Sequence, residues 1–293
     1  MNKTINFKRE RDLGAIITDT FGFIRTEWKP FFVTIFKILG PFIAVTAFFL
    51  GMYLYSFSSI FSNLKNMSNS SSPFAMFASG NFIWISLLII SVLVTYTLLH
   101  LVATYYIKAY IDDASNIDFR TISKQVKTKF WSLLGFFFLA YILIIFGLML
   151  CFFPGIYIIY VFALGVPILV FEDKGVFETI EYCFTLIKSK WWETFGVLLV
   201  IGILVGILGY IFNIPAMIYS LIKMMGAIKN SNPTAISNIF SDPIYLVLTI
   251  ISYAGRFLLS AISIVATVFV YFDLNEQKFQ SGTIETIESL GNN

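Results

Sequence analysis

Arg256 is the charged residue that lies deepest within a long apolar stretch of this sequence, in the segment SYAGRFLLS. A guanidinium group donates hydrogen bonds to carboxylates and phosphates, and in an apolar environment it needs such a partner. The long apolar stretches of the chain contain no Asp or Glu. We therefore expect Arg256 to mark a site for an anion or a lipid headgroup. The alternative is that its side chain extends past Ser252 and Tyr253 to a polar boundary.

Other residues that could do chemistry are few. His100 is the only histidine, and a polar side chain in an apolar stretch more often makes a hydrogen bond between helices than a functional site. Of the two cysteines, Cys183 falls on an apolar helical stripe, where a buried thiol is the ordinary interpretation, and Cys151 stands far from it. No Gly-x-Ser-x-Gly motif or glycine-rich phosphate loop occurs. The sequence therefore predicts no catalytic residue, no metal site and no cofactor.

The amino-acid composition indicates the class of protein in which these residues are placed. Hydrophobic residues make up 58% of the 293 residues and charged residues only 13%, with 33 phenylalanines. A soluble domain of this length could not bury so much apolar surface. The sequence therefore predicts an all-α integral membrane protein, organised as one polytopic domain over residues 1–293. We expect no secretory signal to be removed, because the first 30 residues are rich in charge and lead directly into a span.

About 20 apolar residues are needed to cross the hydrocarbon layer as a helix. Six segments meet this criterion, and the third and fourth are expected to form a tight hairpin with its apex at Pro154-Gly155. They are residues 31–55, 82–107, 131–152, 155–171, 194–212 and 244–272.

The placement of Lys and Arg predicts the orientation of these spans. If the amino terminus is cytoplasmic, fifteen of the twenty Lys and Arg residues lie on the cytoplasmic side, and three lie opposite, at Lys65, Lys223 and Lys229. Basic loops are retained in the cytoplasm. We therefore expect three hairpins with both termini cytoplasmic, an extracytoplasmic segment over residues 213–243 and a cytoplasmic tail over residues 273–293.

Each hairpin is preceded by a segment whose apolar residues recur every three or four positions opposite charged residues. These segments are residues 7–28, 117–130 and 174–190. They predict amphipathic helices that lie in the membrane plane on the cytoplasmic side. The similarity of the three units indicates either a functional repeat or only the shared requirements of entering a bilayer.

Aromatic and basic residues at the three joints are expected to anchor the chain at headgroup depth. The expected anchors are Trp28, Lys29, Phe130, Trp131, Lys188, Lys190, Trp191 and Trp192. Within the fifth span, Gly202, Gly206 and Gly209 share a helix face, and small residues at this spacing predict close helix packing, within the chain or between two copies.

One stretch resembles a known family. The order of motifs from Gly165 to Ile203 is Pro167, the acidic pair Glu172-Asp173, Gly175, an amphipathic helix with Lys188, then Trp191-Trp192 and Gly196. It resembles an uncharacterised bacterial six-span membrane protein family, related to the membrane domain attached to some glycerophosphodiester phosphodiesterases. The likeness is weaker over residues 7–40 and 271–278. It implies a multi-pass protein of the bacterial cytoplasmic membrane, and no phosphodiesterase activity, because the catalytic domain has no counterpart here.

Two functions remain open. In the first, the protein is a non-enzymatic scaffold, assembly or accessory subunit of a membrane complex. Anionic lipid headgroups hold it at the membrane surface. Another membrane or cytosolic protein binds it, with the apolar stripe of the tail, Ile284, Ile287 and Leu290, as the contact. In the second, it is a transporter or lipid-handling protein with a polar site near Arg256 between the hairpins. A homo-oligomer is compatible with both, and nucleic acid is not an expected partner. We favour the first.

Overall fold

The computed structural model describes residues 5–63, 81–114, 116–150, 152–188, 190–229, 239–280 and 284. Cys151 and most of the tail, with Ile287 and Leu290, lie outside the described residues. The described part of the chain is almost wholly helical and contains no strand. Its helices are α1 (Leu13–Asn63), α2 (Asn81–Asp113), α3 (Phe119–Leu150), α4 (Phe152–Ala163), α5 (Gly165–Phe171), α6 (Val176–Ile187), α7 (Trp191–Lys229) and α8 (Pro243–Phe279).

The membrane class expected from composition is confirmed at the level of helix length and hydropathy. Six described segments are long and apolar enough to cross a membrane: α1, α2, α3, α4 with α5, α7 and α8. The predicted spans fall on these helices, except that the third runs past Leu150, where α3 ends.

The boundaries differ from the expected in-plane helices at two of the three joints. Residues 7–12 are not helical, and α1 then runs without a break for 51 residues, about 75 Å at 1.5 Å per residue. No helix end separates residues 13–28 from the span that follows, and none separates residues 119–130 from Trp131. The position of both segments in the membrane plane stays a prediction. Continuing a helix satisfies backbone groups that a turn would leave unpaired.

At the third joint the expected break is present, because α6 ends at Ile187 and α7 begins at Trp191. Beyond this joint, however, α7 extends through Pro215 to Lys229, so the expected exit from the span at Phe212 is not a helix end. The short fourth span is divided into α4 and α5 at Leu164. Gly165 allows this arrangement, since a Cβ there would lie 2.0 Å from Cζ of Phe136.

The chain divides into two compact units rather than the single domain expected. Unit 1 comprises Met1–Ile38, Thr97–Val205 and Ser260–Asn293, and unit 2 comprises Leu39–Tyr96 and Gly206–Leu259. Unit 1 has a dense core in which Leu99, Leu101, Ile168 and Val265 are fully buried. Helices of both units also carry exposed apolar side chains, such as Met149 in unit 1 and Ile222 in unit 2, which are 81 and 64% exposed. Such faces are typical of lipid-covered helices.

Candidate functional site

The residues before α1 are bound into the core of unit 1. The Phe7 side chain is 2% exposed and stacks on Phe269 with ring centroids 4.3 Å apart. The rings of Phe23, Tyr110 and Phe272 meet its edges at 5.7, 6.1 and 6.0 Å. This aromatic socket, formed by α1, α2 and α8, fixes the segment of residues 5–12.

Arg11 completes this attachment. Its side chain is fully buried and forms a salt bridge with Asp19 at 2.9 Å, and it also donates to the carbonyl oxygens of Asn6, Phe7 and Arg9. Burial lowers the pKa of the Arg11 guanidinium, and the hydrogen bond with Asp19 opposes this effect. A guanidinium remains charged at neutral pH even so. Arg11 is therefore a structural cation whose donors are directed to the protein itself.

Several carboxylates of unit 1 accept hydrogen bonds or form salt bridges within the protein. The Tyr106 hydroxyl donates to Glu27 at 2.9 Å and the Tyr271 hydroxyl donates to Glu172 at 2.5 Å. Asp273 accepts from the backbone N–H of Arg11 at 2.7 Å. Further salt bridges join Lys129 to Asp173 at 2.5 Å and Lys190 to Glu193 at 2.9 Å.

The salt bridge with Lys129 changes the pKa of Asp173. The hydrogen bond from Lys129 and its positive charge lower the pKa of the Asp173 carboxyl below its usual range. The pair therefore contributes stability above the ordinary carboxyl pKa, and this contribution is lost as the pH falls through the lowered value.

Many bases of unit 1 are, by contrast, exposed to solvent. Arg25, Lys29, Lys124, Lys127 and Lys188 are exposed, and their side chains form no salt bridge with any residue of the described ranges. Unit 1 therefore exposes several bases that form no salt bridge with a described residue, and carboxylates such as Glu178 and Glu181 are exposed as well. The exposed bases favour contact with an anionic surface.

The aromatic residues at the joints behave in two ways. Trp28, Trp131 and Trp192 have 59, 75 and 76% of their surface exposed, which is the exposure that an interfacial anchor needs. Phe130 is half-buried beside Trp131.

Trp191 differs from the expected anchor, because it packs within the protein. Its ring stacks on Tyr157 and Phe195 at 5.5 and 5.1 Å, and its indole N–H donates to the Tyr157 carbonyl at 3.4 Å. This packing accompanies the break between α6 and α7.

The apolar face of α6 is covered by protein rather than left free for lipid. Cys183 and Ile187 are fully buried, as the ordinary interpretation of Cys183 predicted. Burial raises the pKa of the Cys183 thiol to about 12. The thiol is therefore protonated at neutral pH and is not a nucleophile.

The two predicted polar sites within spans are in different units. His100, in unit 1, is half-buried and meets the edge of the Phe137 ring at 5.5 Å. Arg256, in unit 2, is exposed on α8, and its guanidinium lies 5.7 Å from the centre of the Tyr210 ring. It forms no salt bridge with a described residue.

Of the three glycines expected to pack, only Gly209 has a close neighbour among the described residues. A Cβ at Gly209 would lie 3.3 Å from Cγ of Arg256, whereas nothing lies within 4 Å of such an atom at Gly202 or Gly206. The glycine face thus provides room for the stem of Arg256, and its remainder is open.

Unit 2 also has a polar cluster where α7 and α8 meet. Asp242 accepts from the Tyr219 hydroxyl at 2.9 Å and pairs with Lys223 at 3.1 Å. Residues 213–229, the first part of the expected extracytoplasmic segment, continue helix α7 and are paired with the residue before α8.

Each unit contains a cavity lined by described residues. A cavity of about 230 Å³ in unit 1 is lined by residues that include Arg11, Glu193, Thr194 and Asp273, and the buried Thr194 hydroxyl has no partner among the described residues. Within the same ranges, no group of three His, Cys, Asp or Glu side chains could hold a metal ion.

The second cavity is a cleft of about 160 Å³ in unit 2, which we call the apolar groove. It is lined by Ile43, Thr46, Ala47, Leu50, Val92, Thr95, Ile250, Tyr253, Ala254 and Phe257. The hydroxyls of Thr46 and Thr95 lie 2.9 Å apart and bond to each other.

Sequence patterns did not reveal the internal polar network. Tyr106 and Tyr271 lie in apolar runs with no signal of a carboxylate partner, and the socket of Phe7 combines residues more than 250 positions apart. Only tertiary packing brings such groups together. Comparisons with models of protein families, with curated proteins and with solved structures find no match to this chain.

Proposed function

We propose that the protein is a non-enzymatic membrane scaffold or accessory subunit, held in a bacterial cytoplasmic membrane by anionic lipid headgroups that bind unit 1. The observation that carries this proposal is the set of exposed bases in unit 1 that form no salt bridge with a described residue. Lys124 and Lys127 belong to this set and precede the exposed Trp131 on α3. Each such base near an anionic membrane surface adds to attraction.

The proposal includes a topology. The six spans form three hairpins, with both termini and the basic segments on the cytoplasmic side. The excess of Lys and Arg on that side, fifteen of twenty, supports this orientation. Exposed Trp28, Trp131 and Trp192 then lie at the cytoplasmic headgroup level.

A scaffold must also hold a fixed shape. The Phe7 socket and the buried Arg11 tie the first residues of the chain to α1 and α8, which suits a platform for another protein. The partner is a membrane or cytosolic protein, or a second copy of this chain.

Reconstitution in lipid nanodiscs tests the lipid part of the proposal. Adding phosphatidylglycerol to phosphatidylcholine discs is expected to raise the unfolding temperature of the protein, because a ligand of the native state stabilises it. The gain is expected to fall at high salt, since salt screens exposed charges.

The double variant Lys124→Gln with Lys127→Gln is expected to lose most of this gain. The control, Lys223→Gln with Lys229→Gln, removes the same net charge from unit 2 and keeps the gain. An equal gain in both double variants would refute the role of unit 1.

Cross-linking in intact membranes, followed by quantitative mass spectrometry, tests the scaffold part. A partner protein in fixed stoichiometry is expected. Recovery of a retained lipid or solute with no such partner would instead favour a lipid-handling protein or a transporter.

A further inference from the structure

Arg256 lies at the surface of the α7–α8 pair in unit 2. The two helices contact each other through neighbouring residues, since the Ser252 hydroxyl donates to the Phe212 carbonyl oxygen at 2.6 Å. The stem of Arg256 passes Gly209, where a Cβ would lie 3.3 Å from its Cγ, and the guanidinium lies 5.7 Å from the centre of the Tyr210 ring. The charge therefore emerges beside α7, at an exposed position.

This position is far from other charges along both helices. On α8 the nearest charged residues are Asp242 and Asp273, about 21 and 26 Å from Arg256 at 1.5 Å per residue. On α7, Gly209 lies about 21 Å from Lys223. A salt bridge of 3.1 Å joins Lys223 to Asp242, so these two residues mark one polar end of the pair. Arg256 therefore lies well inside the apolar part of both helices.

Neither the described residues nor lipid headgroups supply an anion to this guanidinium. No described carboxylate forms a salt bridge with Arg256. Lipid phosphates lie at the borders of the hydrocarbon layer, and an arginine side chain is much shorter than the distances along the two helices. A charge at this depth is costly unless another group neutralises it. The neutralising group must therefore lie within the hydrocarbon layer itself.

A second copy of this chain does not supply that group. Every Asp and Glu of the sequence lies outside the six predicted spans. A carboxylate at the depth of Arg256 must therefore belong to a different protein. Its geometry suits the guanidinium, because a carboxylate accepts two parallel hydrogen bonds from it.

The surface around the guanidinium is open to a neighbouring helix. Tyr210 and Met217 on α7 have 65 and 54% of their surface exposed. Gly206 precedes Tyr210 by about one turn, and a Cβ at this glycine would meet nothing within 4 Å. A small residue allows another helix to approach closely. A helix that packs on these residues brings its own side chains next to Arg256.

We propose that the Arg256 face, which comprises Gly206, Tyr210, Met217 and Arg256, binds a transmembrane helix of a different membrane protein through an Asp or Glu of that helix. The inference rests on the proposed accessory-subunit function and names the chemistry of its partner. The salt bridge makes the contact specific, because a helix without a carboxylate at this depth leaves the Arg256 charge unpaired.

Energy transfer between the fluorescently labelled full-length protein and synthetic transmembrane peptides, in phosphatidylcholine vesicles, tests the Arg256 face. The peptides are leucine-alanine helices with one Asp or one Leu at the centre. Wild-type protein is expected to bind the Asp peptide about tenfold more tightly, in the range of polar contacts between helices in membranes. Arg256→Gln is expected to lose this preference, and Arg256→Lys to keep most of it. Lys229→Gln, which removes one charge elsewhere in unit 2, serves as the control.

A second pair of variants tests the packing of the helix on this face. Gly206→Leu places a large side chain on the face and is expected to weaken binding of the Asp peptide. Gly226→Leu makes the same change at another position of α7 where a Cβ would meet nothing within 4 Å, and is expected to have no effect. An Asp peptide whose carboxylate is moved two turns from the centre is expected to bind wild-type protein less tightly.

Equal binding of the Asp and Leu peptides to wild-type protein would overturn the proposal. An Asp preference that persists in Arg256→Gln would overturn it too, because the carboxylate would then have another partner. The peptide assay uses neither a native partner nor anionic lipid. Its failure is therefore distinguishable from failure of the accessory-subunit function, which the absence of a stoichiometric partner in native membranes would show.

Discussion

Replacement of Phe7 by Ala is expected to release the first residues of the chain without unfolding the helices. Phe7 is 2% exposed and is surrounded by four aromatic rings, with Phe269 stacked at 4.3 Å. Residues 5–12 are not helical, so they depend on this socket and on Arg11 for their position. The free energy lost is therefore expected to appear as local opening.

The magnitude follows from the size of the buried ring. Truncating a buried Phe to Ala costs about 3 to 5 kcal/mol. At about 1.4 kcal/mol per factor of ten, this raises the local opening constant roughly a hundredfold to a few thousandfold. The helix α1, which begins at Leu13, retains its own backbone hydrogen bonds.

Hydrogen–deuterium exchange with mass spectrometry, on protein in nanodiscs, measures this opening directly. The amide of Arg11 donates to Asp273 at 2.7 Å, so its exchange reports whether the segment is bound. Peptides from residues 5–12 are expected to exchange much faster in Phe7→Ala, and peptides from α2 and α8 to be unchanged. Phe177→Ala is the matched control, because 77% of Phe177 is exposed. Unchanged exchange over residues 5–12 would refute the reasoning.

Three further predictions follow from the packing and the topology. Gly165→Ala is expected to lower the free energy of unfolding by about 1 to 3 kcal/mol, because the added methyl group overpacks against Phe136. Thermal unfolding measures this loss. The control is Gly22→Ala, which should have little effect because a Cβ there meets nothing within 4 Å. Cys183 is fully buried and its pKa is raised to about 12, so maleimide at neutral pH is expected to label that thiol only after unfolding. Rapid labelling of Cys183 in the folded Cys151→Ser protein would contradict its burial. Ser123→Cys, in a background without other cysteines, is expected to react with a membrane-impermeant reagent only after the membrane is opened. Labelling from outside intact cells would contradict the predicted cytoplasmic position of this residue.

Much of the fold followed from local patterns. The six apolar segments predicted six helices of sufficient length. Burial within the two amphipathic segments was not predicted. Ile122 and Val126 are buried in the protein, as are Phe23 and the polar Thr20. A polar Thr on the inward face cannot be recognised by hydropathy alone.

The site was predicted only in part. Arg256 could be singled out because a charge within a hydrophobic run is visible in the sequence, and its role as an anion site stays a prediction. The apolar groove of unit 2 was not predicted, because its walls come from α1, α2 and α8. Trp191 was predicted as a lipid anchor, and only its stacking on Tyr157 and Phe195 shows that it packs within the protein.

The sequence by itself determined the class of this protein as a multi-span membrane protein. Insertion of a helix into a bilayer depends on the hydropathy and length of its own segment, and both are local properties of the sequence. The sequence also set where charge lies along the chain. Only the tertiary structure decided whether an apolar stripe faces lipid or protein, as for α6, and where a helix breaks, as between Ile187 and Trp191. Lipid and a protein core are both apolar, so the same hydropathy pattern fits either environment. The distinction depends on partners that are distant in the sequence and close only in the folded chain.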